Sequence, residues 1–176
     1  MAIERIAVIG AGQMGNGIAQ VAATSGFEVV MIDINQDAVD RGMATIERSL
    51  GKLVQKERLS QENADAARGR LSTSTDRGAC AGVDLVVEAV PEILSLKISI
   101  FEDLDQICGP DTILASNTSS ISITKIAACT SRPEKVIGMH FMNPVPLMKL
   151  VEIIDGELTA SETNAAVVAA AEAMGK

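Results

Sequence analysis

The one histidine of the sequence, His140, lies in the stretch GMHFMNPVPLMKLVEII, residues 138–154. Histidine titrates near neutral pH, which suits a side chain that must take up and return a proton. His140 lies in the apolar run VIGMHF, and Glu152 lies in the next run, LVEII. If these runs are neighbouring strands, Glu152 can accept a hydrogen bond from one ring nitrogen and leave the other nitrogen facing a substrate. A lone histidine on an apolar strand is also often a satisfied core residue, so position alone leaves both interpretations open.

A glycine-rich turn near the N-terminus is the second candidate site. The stretch AVIGAGQMGNGIAQ places Gly10, Gly12 and Gly15 in G-x-G-x-x-G spacing between an apolar run and a helical pattern. These glycines permit a tight turn, a close approach to a pyrophosphate and close packing of helix on strand. The turn, which includes Gln13 and Met14, would present backbone amides and the positive end of a helix to the anion.

An acidic residue completes this pattern. Asp33 ends the next apolar run, EVVMID, where a dinucleotide-binding fold places a ribose-binding carboxylate. A carboxylate accepts hydrogen bonds from both ribose hydroxyls and repels a 2′-phosphate. No arginine adjoins Asp33 in the sequence. The pattern therefore predicts NAD rather than NADP as the cofactor.

Composition narrows the choice of proton acceptor for an oxidoreductase that acts on an alcohol. The sequence has no tyrosine, one histidine and three separated cysteines, which are Cys80, Cys108 and Cys129. A tyrosine–lysine base is therefore impossible, and neither a zinc site nor a disulfide framework is indicated. His140 remains as a candidate base, as does a lysine such as Lys97 or Lys149.

Hydroxyl and amide side chains follow two predicted strands. The stretch ASNTSSISI contains Asn117 and Ser119, and HFMNPVP contains Asn143 close to the histidine. Ser119 could donate a hydrogen bond to a substrate oxygen as it becomes a carbonyl, and Asn117 could face the nicotinamide ribose. The same residues could equally cap a helix or form an ordinary turn.

Short, continuously apolar runs alternate with helical patterns and define the fold class. The runs cover residues 5–10, 28–33, 83–90, 112–117, 136–141 and 150–154, and the helical patterns cover 15–25, 36–56, 60–69, 95–107, 120–129 and 160–174. Continuous apolar character is typical of strands that are buried on both faces, so we expect a doubly wound α/β fold with a mostly parallel sheet. The region 36–70 predicts a helical hairpin that leans off the sheet, and Thr159 to Glu162 has the spacing of a capping box.

Charge and hydropathy exclude other classes of protein. The net charge of −8, the pI of about 4.7 and the aromatic content of 2% argue against nucleic-acid binding. No apolar stretch reaches the ~18 residues that a membrane-spanning helix needs, and no leader pattern is present, so we expect a cytoplasmic protein.

Four motifs in order resemble the 3-hydroxyacyl-CoA dehydrogenases, and among them the bacterial 3-hydroxybutyryl-CoA dehydrogenases. They are VIGAGQMGNGIAQ, DLVVEAVPE, LASNTSSISIT and GMHFMNPVPLMKLVEII, and the resemblance runs over residues 3–176. It implies a Rossmann-type NAD-binding domain over 1–176 that oxidises a short-chain (3S)-3-hydroxyacyl-CoA to the 3-ketoacyl-CoA, or the reverse. It also implies a catalytic dyad of His140 and Glu152, with Ser119 at the reacting oxygen. The matching also implies that Glu92, Lys97, Asn117 and Asn143 line the cofactor site, and that Asn143 is a catalytic and substrate-binding residue together with Ser119.

In this family the helical hairpin holds coenzyme A, and the matching residues are Ser49, Lys52 and Lys56. Two ammonium groups and a hydroxyl on one helix face suit a phosphate, although such a face is otherwise an ordinary solvated charge cluster. Met142 stands where the family more often has phenylalanine. The resemblance also implies that a C-terminal helical domain, which forms the usual homodimer interface, does not follow in this sequence.

Two alternatives to the dehydrogenase remain open. The chain could be a module that binds NAD and acyl-CoA with little turnover. It could also be a sugar-acid dehydrogenase of the gulonate type, which shares the His–Glu dyad.

Overall fold

One sheet with helices on both faces organises the chain in a computed structural model, which describes residues 2–176. The strands are β1 (Arg5–Ile9), β2 (Glu28–Ile32), β3 (Leu71–Ser74), β4 (Leu85–Glu88), β5 (Ile113–Ser116), β6 (Val136–Phe141) and β7 (Val151–Asp155). The helices are α1 (Gln13–Thr24), α2 (Gln36–Gln55), α3 (Gln61–Gly69), α4 (Leu94–Ile107), α5 (Ile123–Ala127) and α6 (Ser161–Ala173). Short 3-10 turns occur at Arg77–Cys80 and Pro133–Lys135.

The sheet has the strand order β3-β2-β1-β4-β5-β6-β7. The strands from β1 to β6 pair in parallel, and β7 pairs antiparallel with β6. The direction of winding reverses between β1 and β4, which is the switch point of a doubly wound fold. The predicted fold class, α/β with a mostly parallel sheet, is therefore confirmed.

Alternate residues of the central strands pack into two hydrophobic cores, one on each face of the sheet. Ile6 and Val8 of β1 pack in a cluster with residues of α1, α2, α3 and α6, whereas Ala7 and Ile9 pack in a second cluster with residues of α4 and α5. Because both faces of the strand are covered, the strand needs apolar side chains at every position. This explains why the predicted strands read as continuous apolar runs.

Strand β3 was not predicted, because its sequence LSTS contains no apolar run. It is an edge strand, and its backbone pairs with β2 through the register Val29↔Leu71 to Ile32↔Ser74. Ser72 and Thr73 are exposed. A strand held mainly by backbone hydrogen bonds at a sheet edge gives no hydrophobic pattern to read.

The hairpin of α2 and α3 forms within the predicted range, but it is not detached from the domain. Ile46 and Leu50 of α2 are fully buried in the cluster that also contains α1. No residue of 51–60 is buried, so only the tip of the hairpin projects into solvent. Asn35 caps α2 by accepting from the Ala38 amide at 2.8 Å, and Ser60 caps α3 in the same way.

The predicted capping box at the start of α6 is wrong. The residue at the N-cap is Ala160, which offers no side-chain acceptor. The Thr159 hydroxyl instead donates to the Val136 carbonyl at 2.6 Å and accepts from the Gly156 amide at 2.8 Å. Thr159 therefore ties the turn after β7 to the start of β6.

A nearly buried ion pair fixes the segment that leads into β6. Arg132 Nε lies 2.7 Å from Asp105 Oδ1 at the end of α4, and the guanidinium also donates to the carbonyls of Asp105, Cys108 and Gly109. Burial opposes ionisation of Asp105, but hydrogen bonds from the Ser131 amide and from Arg132 outweigh it and hold the pKa of this carboxyl below its usual range. Because its folded-state pKa is lowered, Asp105 contributes stability above its unfolded-state pKa, and that stability is lost as pH falls through the folded-state value.

We expect Asp105→Asn to lower the free energy of unfolding at pH 7 by about 3 kcal/mol, since it leaves the Arg132 charge without a carboxylate. The difference from the unchanged protein should shrink as pH falls below about 3.9, because the unfolded wild-type chain then takes up a proton at Asp105 while the folded protein, whose Asp105 pKa is lower, does not. Urea unfolding at several pH values measures both effects. Asp65→Asn is the control, because Asp65 pairs with Arg68 on the surface and should contribute less than about 1 kcal/mol. A pH-independent difference for Asp105→Asn would contradict the assignment.

Candidate active site

The predicted site residues collect at one edge of the sheet. The carboxyl ends of the parallel strands meet at this edge; these strands are β1, β2, β4, β5 and β6. The residues that follow them include the glycine turn, Asp33, Glu92, Ser119 and the loop after His140. Ligands of open α/β sheets bind outside this edge.

His140 and Glu152 are directly opposite each other on β6 and β7. His140 Nδ1 lies 2.8 Å from Glu152 Oε2. The His140 side chain is 19% exposed and that of Glu152 is 54% exposed, so the ring lies at the rim of the sheet rather than in the core. An ionised carboxylate can only accept, so in this contact Nδ1 carries the hydrogen. In the neutral ring the lone pair is then on Nε2, where it can take up a proton.

The loop after His140 packs directly on the helix that follows the glycine turn. Gln13 Nε2 donates to Asn143 Oδ1 at 3.2 Å. A Cβ added to Gly17 of α1 would lie 2.9 Å from Cβ of Val145, so this glycine permits a close approach of the loop. These contacts join the predicted nucleotide turn and the predicted proton acceptor into one site.

Asn117 connects the ends of β5 and β6. Its side-chain Oδ1 accepts from the backbone amide of Phe141, one residue beyond His140, at 2.8 Å. Its backbone amide donates to the Glu88 carbonyl at 2.8 Å. Within residues 2–176 the side-chain nitrogen of Asn117 donates no hydrogen bond, which is compatible with its predicted role at the ribose. That role stays a prediction.

Glu92 holds the loop that carries Ser119. The Ser119 amide donates to Glu92 Oε1 at 2.8 Å, and the Thr118 hydroxyl donates to Oε2 at 2.8 Å. Burial opposes ionisation of Glu92, but these hydrogen bonds and the nearby Lys97 outweigh it and hold its pKa below the usual range. The Ser119 hydroxyl lies 3.5 Å from Glu92 Oε1, a long contact, and it can therefore turn to donate to a substrate oxygen.

Lys97 points into the protein, and its partner Glu88 was missed by the sequence analysis. Lys97 Nζ lies 2.6 Å from Glu88 Oε1, with the two side chains 1% and 0% exposed. Glu88 also accepts from the Ser116 hydroxyl at 2.6 Å and the Val90 amide at 2.7 Å. Lys97 Nζ is 3.9 Å from Glu92 Oε2, so it reaches the site through that residue. A carboxylate that ends the apolar run DLVVE is the signal that could have identified Glu88.

The glycine turn leaves room for a dinucleotide. Gly10 has φ +103°, and a Cβ on Gly15 would lie 1.7 Å from the Gly10 carbonyl oxygen, whereas a Cβ on Gly12 would meet no atom within 4 Å. Asp33 Oδ2 accepts from the Ala11 amide at 2.8 Å, and Oδ1 accepts from the Ile34 amide at 2.8 Å. A cleft of about 390 Å³ lies beside them, lined by residues 11–13, 16, 33, 38, 41, 42 and 45. An open turn and a fixed carboxylate beside one cleft fit the diphosphate and adenosine ribose of NAD.

The predicted coenzyme A residues lie on the exposed part of α2. Ser49 is half-buried, and Lys52 and Lys56 are exposed. Their spacing places them on one side of the helix and its C-cap. Their contact with coenzyme A stays a prediction.

The strand order, the glycine turn and the carboxylate after β2 define a dinucleotide-binding domain of the Rossmann type. A family model described as 3-hydroxyacyl-CoA dehydrogenase, NAD binding domain, matches residues 5–176. The chain belongs to the 3-hydroxyacyl-CoA dehydrogenase family as its NAD-binding domain, which confirms the resemblance and the prediction of NAD.

Individual relatives agree with this family. A protein of Deinococcus radiodurans named probable 3-hydroxybutyryl-CoA dehydrogenase is 53% identical over 172 residues, which are 98% of this chain and 62% of the relative. One of Bacillus subtilis with the same name is 49% identical over 176 residues, which are 100% of this chain and 61% of the relative. The crystal structure of (S)-3-hydroxybutyryl-CoA dehydrogenase from Ralstonia eutropha aligns with a TM-score of 0.97 at 48% identity, covering 99% of this chain and 62% of that one. The chain thus spans less than two thirds of the length of these relatives.

Residues 2–176 contain no candidate membrane-spanning helix and no candidate metal-ligand cluster. Over that range no helix is long and apolar enough to cross a membrane. Nor does any group of three or more His, Cys, Asp or Glu residues in the described chain come together in a way that could hold a metal ion.

We expect Gly12→Ala and Gly15→Ala to fail in different ways. The methyl group of Gly12→Ala enters open space, so the unfolding free energy should change by less than about 1 kcal/mol. NADH affinity should nevertheless fall at least about ten-fold, because the methyl group keeps the diphosphate from approaching the backbone. Gly15→Ala forces α1 away from β1 and should lower the unfolding free energy by about 3 kcal/mol or more. Thermal denaturation and calorimetric titration with NADH separate the two. Unchanged NADH affinity in Gly12→Ala would show that the diphosphate binds elsewhere.

Proposed function

We propose that this chain provides the cofactor site and the proton-transfer residues of an NAD-dependent dehydrogenase that interconverts (3S)-3-hydroxyacyl-CoA and 3-ketoacyl-CoA, with short-chain substrates such as 3-hydroxybutyryl-CoA. The observation that carries the proposal is the 2.8 Å contact between His140 and Glu152 at the carboxyl edge of the sheet, joined to the glycine turn through Asn143. The names of the relatives from Deinococcus radiodurans and Bacillus subtilis support the substrate class.

His140 acts as the general base in the oxidative direction. Its Nε2 takes the proton from the substrate hydroxyl as the carbon–oxygen bond becomes a carbonyl. The imidazolium that forms is stabilised by the carboxylate of Glu152, which keeps Nδ1–H bound throughout the reaction. NAD, held by the glycine turn and Asp33, would supply the acceptor for the hydride that leaves the carbon bearing this hydroxyl.

Ser119 and the amide residues orient the substrate oxygen. The Ser119 amide donates to Glu92, which fixes the backbone position of Ser119. Its hydroxyl can still rotate to donate to a bound substrate. It donates to the substrate oxygen, which becomes a better acceptor as the carbonyl forms. Asn143, which accepts from Gln13, keeps the loop beside His140 in place for the substrate and cofactor.

We expect His140→Gln to lower kcat for acetoacetyl-CoA reduction by at least about 100-fold, because the positioned proton donor and acceptor is lost. Glu152→Gln keeps a hydrogen-bond acceptor but loses the charge, and should lower kcat by about 10- to 100-fold. NADH affinity, measured by calorimetry, should stay within about two-fold in both variants, because neither side chain belongs to the glycine turn.

Asp155→Asn, an exposed substitution on the same strand as Glu152, is the matched control and should leave kcat unchanged. Turnover that survives His140→Gln would remove His140 as the base. A chain that binds NADH with measurable heat but reduces no acetoacetyl-CoA would instead be a nucleotide-binding module.

Lys52 and Lys56 bind the phosphate groups of coenzyme A under this proposal. We expect Lys52→Glu/Lys56→Glu to raise KM for acetoacetyl-CoA by at least about ten-fold, because two charge-assisted contacts become repulsive. The effect should weaken as salt rises, and kcat and NADH affinity should change little. Lys125→Glu/Lys135→Glu changes the net charge equally, on α5 and in the turn before β6 rather than on α2, and serves as the control. Unchanged acyl-CoA affinity would favour a sugar-acid substrate over coenzyme A.

A further inference from the structure

An arginine shares the adenosine cleft with Asp33. Arg41 of α2 lines the same cleft of about 390 Å³ as Ala11, Gly12 and Asp33. Asp33 and Arg41 are the ionisable residues of that lining. The cleft beside the ribose-binding carboxylate thus contains one fixed anion and one cation, although no arginine adjoins Asp33 in the sequence.

Close packing of α2 on the glycine turn fixes the position of Arg41. A Cβ on the neighbouring residue, Gly42, would lie 3.0 Å from the Ala11 carbonyl oxygen, 3.1 Å from Cβ of Ala11 and 2.8 Å from Cε of Met31. The start of the same helix is held by the Asn35 cap. Because Gly42 and Asn35 determine where α2 lies, the face with Ala38, Arg41 and Thr45 borders the cleft.

The two charged groups differ in how they are held. Both oxygens of Asp33 accept from backbone amides, those of Ala11 and Ile34. In residues 2–176 the Arg41 guanidinium takes part in no ion pair and no hydrogen bond. Arg41 is exposed, so its long side chain can move within the cleft while Asp33 cannot. A guanidinium free to move beside the ribose position is suited to a phosphate, which it can bind through two parallel hydrogen bonds.

We propose that Arg41 is a second determinant of cofactor choice: it is a latent ligand for the 2′-phosphate of NADP, and the carboxylate of Asp33 overrides it. With Asp33 present, the ribose hydroxyls of NAD are accepted and a 2′-phosphate is repelled. With the charge of Asp33 removed, Arg41 is the cation that makes the same cleft bind NADP. The proposal depends on nucleotide binding by this family and not on the dehydrogenase reaction.

The test is a double-mutant cycle on Asp33 and Arg41, read by calorimetry with NADH, NADPH and adenosine 2′,5′-bisphosphate. We expect Asp33→Asn to raise the affinity for NADPH and for the bisphosphate by at least about ten-fold and to lower that for NADH. Adding Arg41→Ala should then weaken NADPH and bisphosphate binding by about ten-fold or more, with NADH changed by less than about two-fold. Asparagine keeps an acceptor for the Ala11 amide, and Asp33→Ser is a second route if that variant does not fold.

Arg48→Ala on the Asp33→Asn background is the matched control. Arg48 lies on the same helix and bonds to Thr45 rather than lining the cleft, so its loss should leave NADPH affinity unchanged. If Arg41→Ala leaves NADPH binding of Asp33→Asn intact, or weakens NADH and NADPH equally, Arg41 does not select the 2′-phosphate and the proposal is wrong. Because bisphosphate binding needs no turnover, its result stands even if acetoacetyl-CoA is not reduced.

Discussion

The close approach of α1 to the end of β1 is the contact on which the rest of the site depends. A Cβ on Gly15 would overlap the Gly10 carbonyl at 1.7 Å, so the helix lies as near to the strand as a backbone allows. This distance places the first amides of α1 over the carboxyl edge of the sheet, where they can bind an anion. It also brings Gln13 within reach of Asn143 and Gly17 against Val145, so the loop after His140 depends on the same packing.

The dyad depends on β7, which runs antiparallel to β6. A parallel neighbour needs a crossover of a dozen or more residues, whereas β6 and β7 are joined by residues 142–150 and run in opposite directions. This reversal returns the chain to the edge at which β6 ends and sets Glu152 opposite His140. Because β7 is the last strand of the sheet, the side chain of Glu152 is 54% exposed and its carboxylate is largely solvated.

The sequence predicts those features that have a periodic or local signal. Continuous apolar runs identify the strands from β1 to β7 other than β3, whose sequence LSTS pairs mainly through its backbone at a sheet edge. Glycine spacing and Asp33 identify the nucleotide turn, and the helical stripe identifies α2. The position of Arg41 could not be predicted from a local pattern. Arg41 lies in the cleft of Asp33 because Gly42 of α2 packs on Ala11 of the turn, and this tertiary contact has no signal in the sequence spacing. Glu88 was missed because its partners come from three different segments.

The buried pair of Lys97 and Glu88 shows why the site is rigid on the side of Ser119. Removing two charges from water costs several kcal/mol per ion, roughly, and is offset only when further hydrogen bonds satisfy both groups. Here Ser116, the Val90 amide and the Val90 carbonyl complete them. Such a network tolerates little displacement, because each atom that moves leaves a buried polar group unpaired. It ties β4, β5 and α4 together, and Lys97 Nζ at 3.9 Å from Glu92 Oε2 links it to the carboxylate that holds the Ser119 loop. On the neighbouring strand, Asn117 holds the backbone beside His140 through the Phe141 amide.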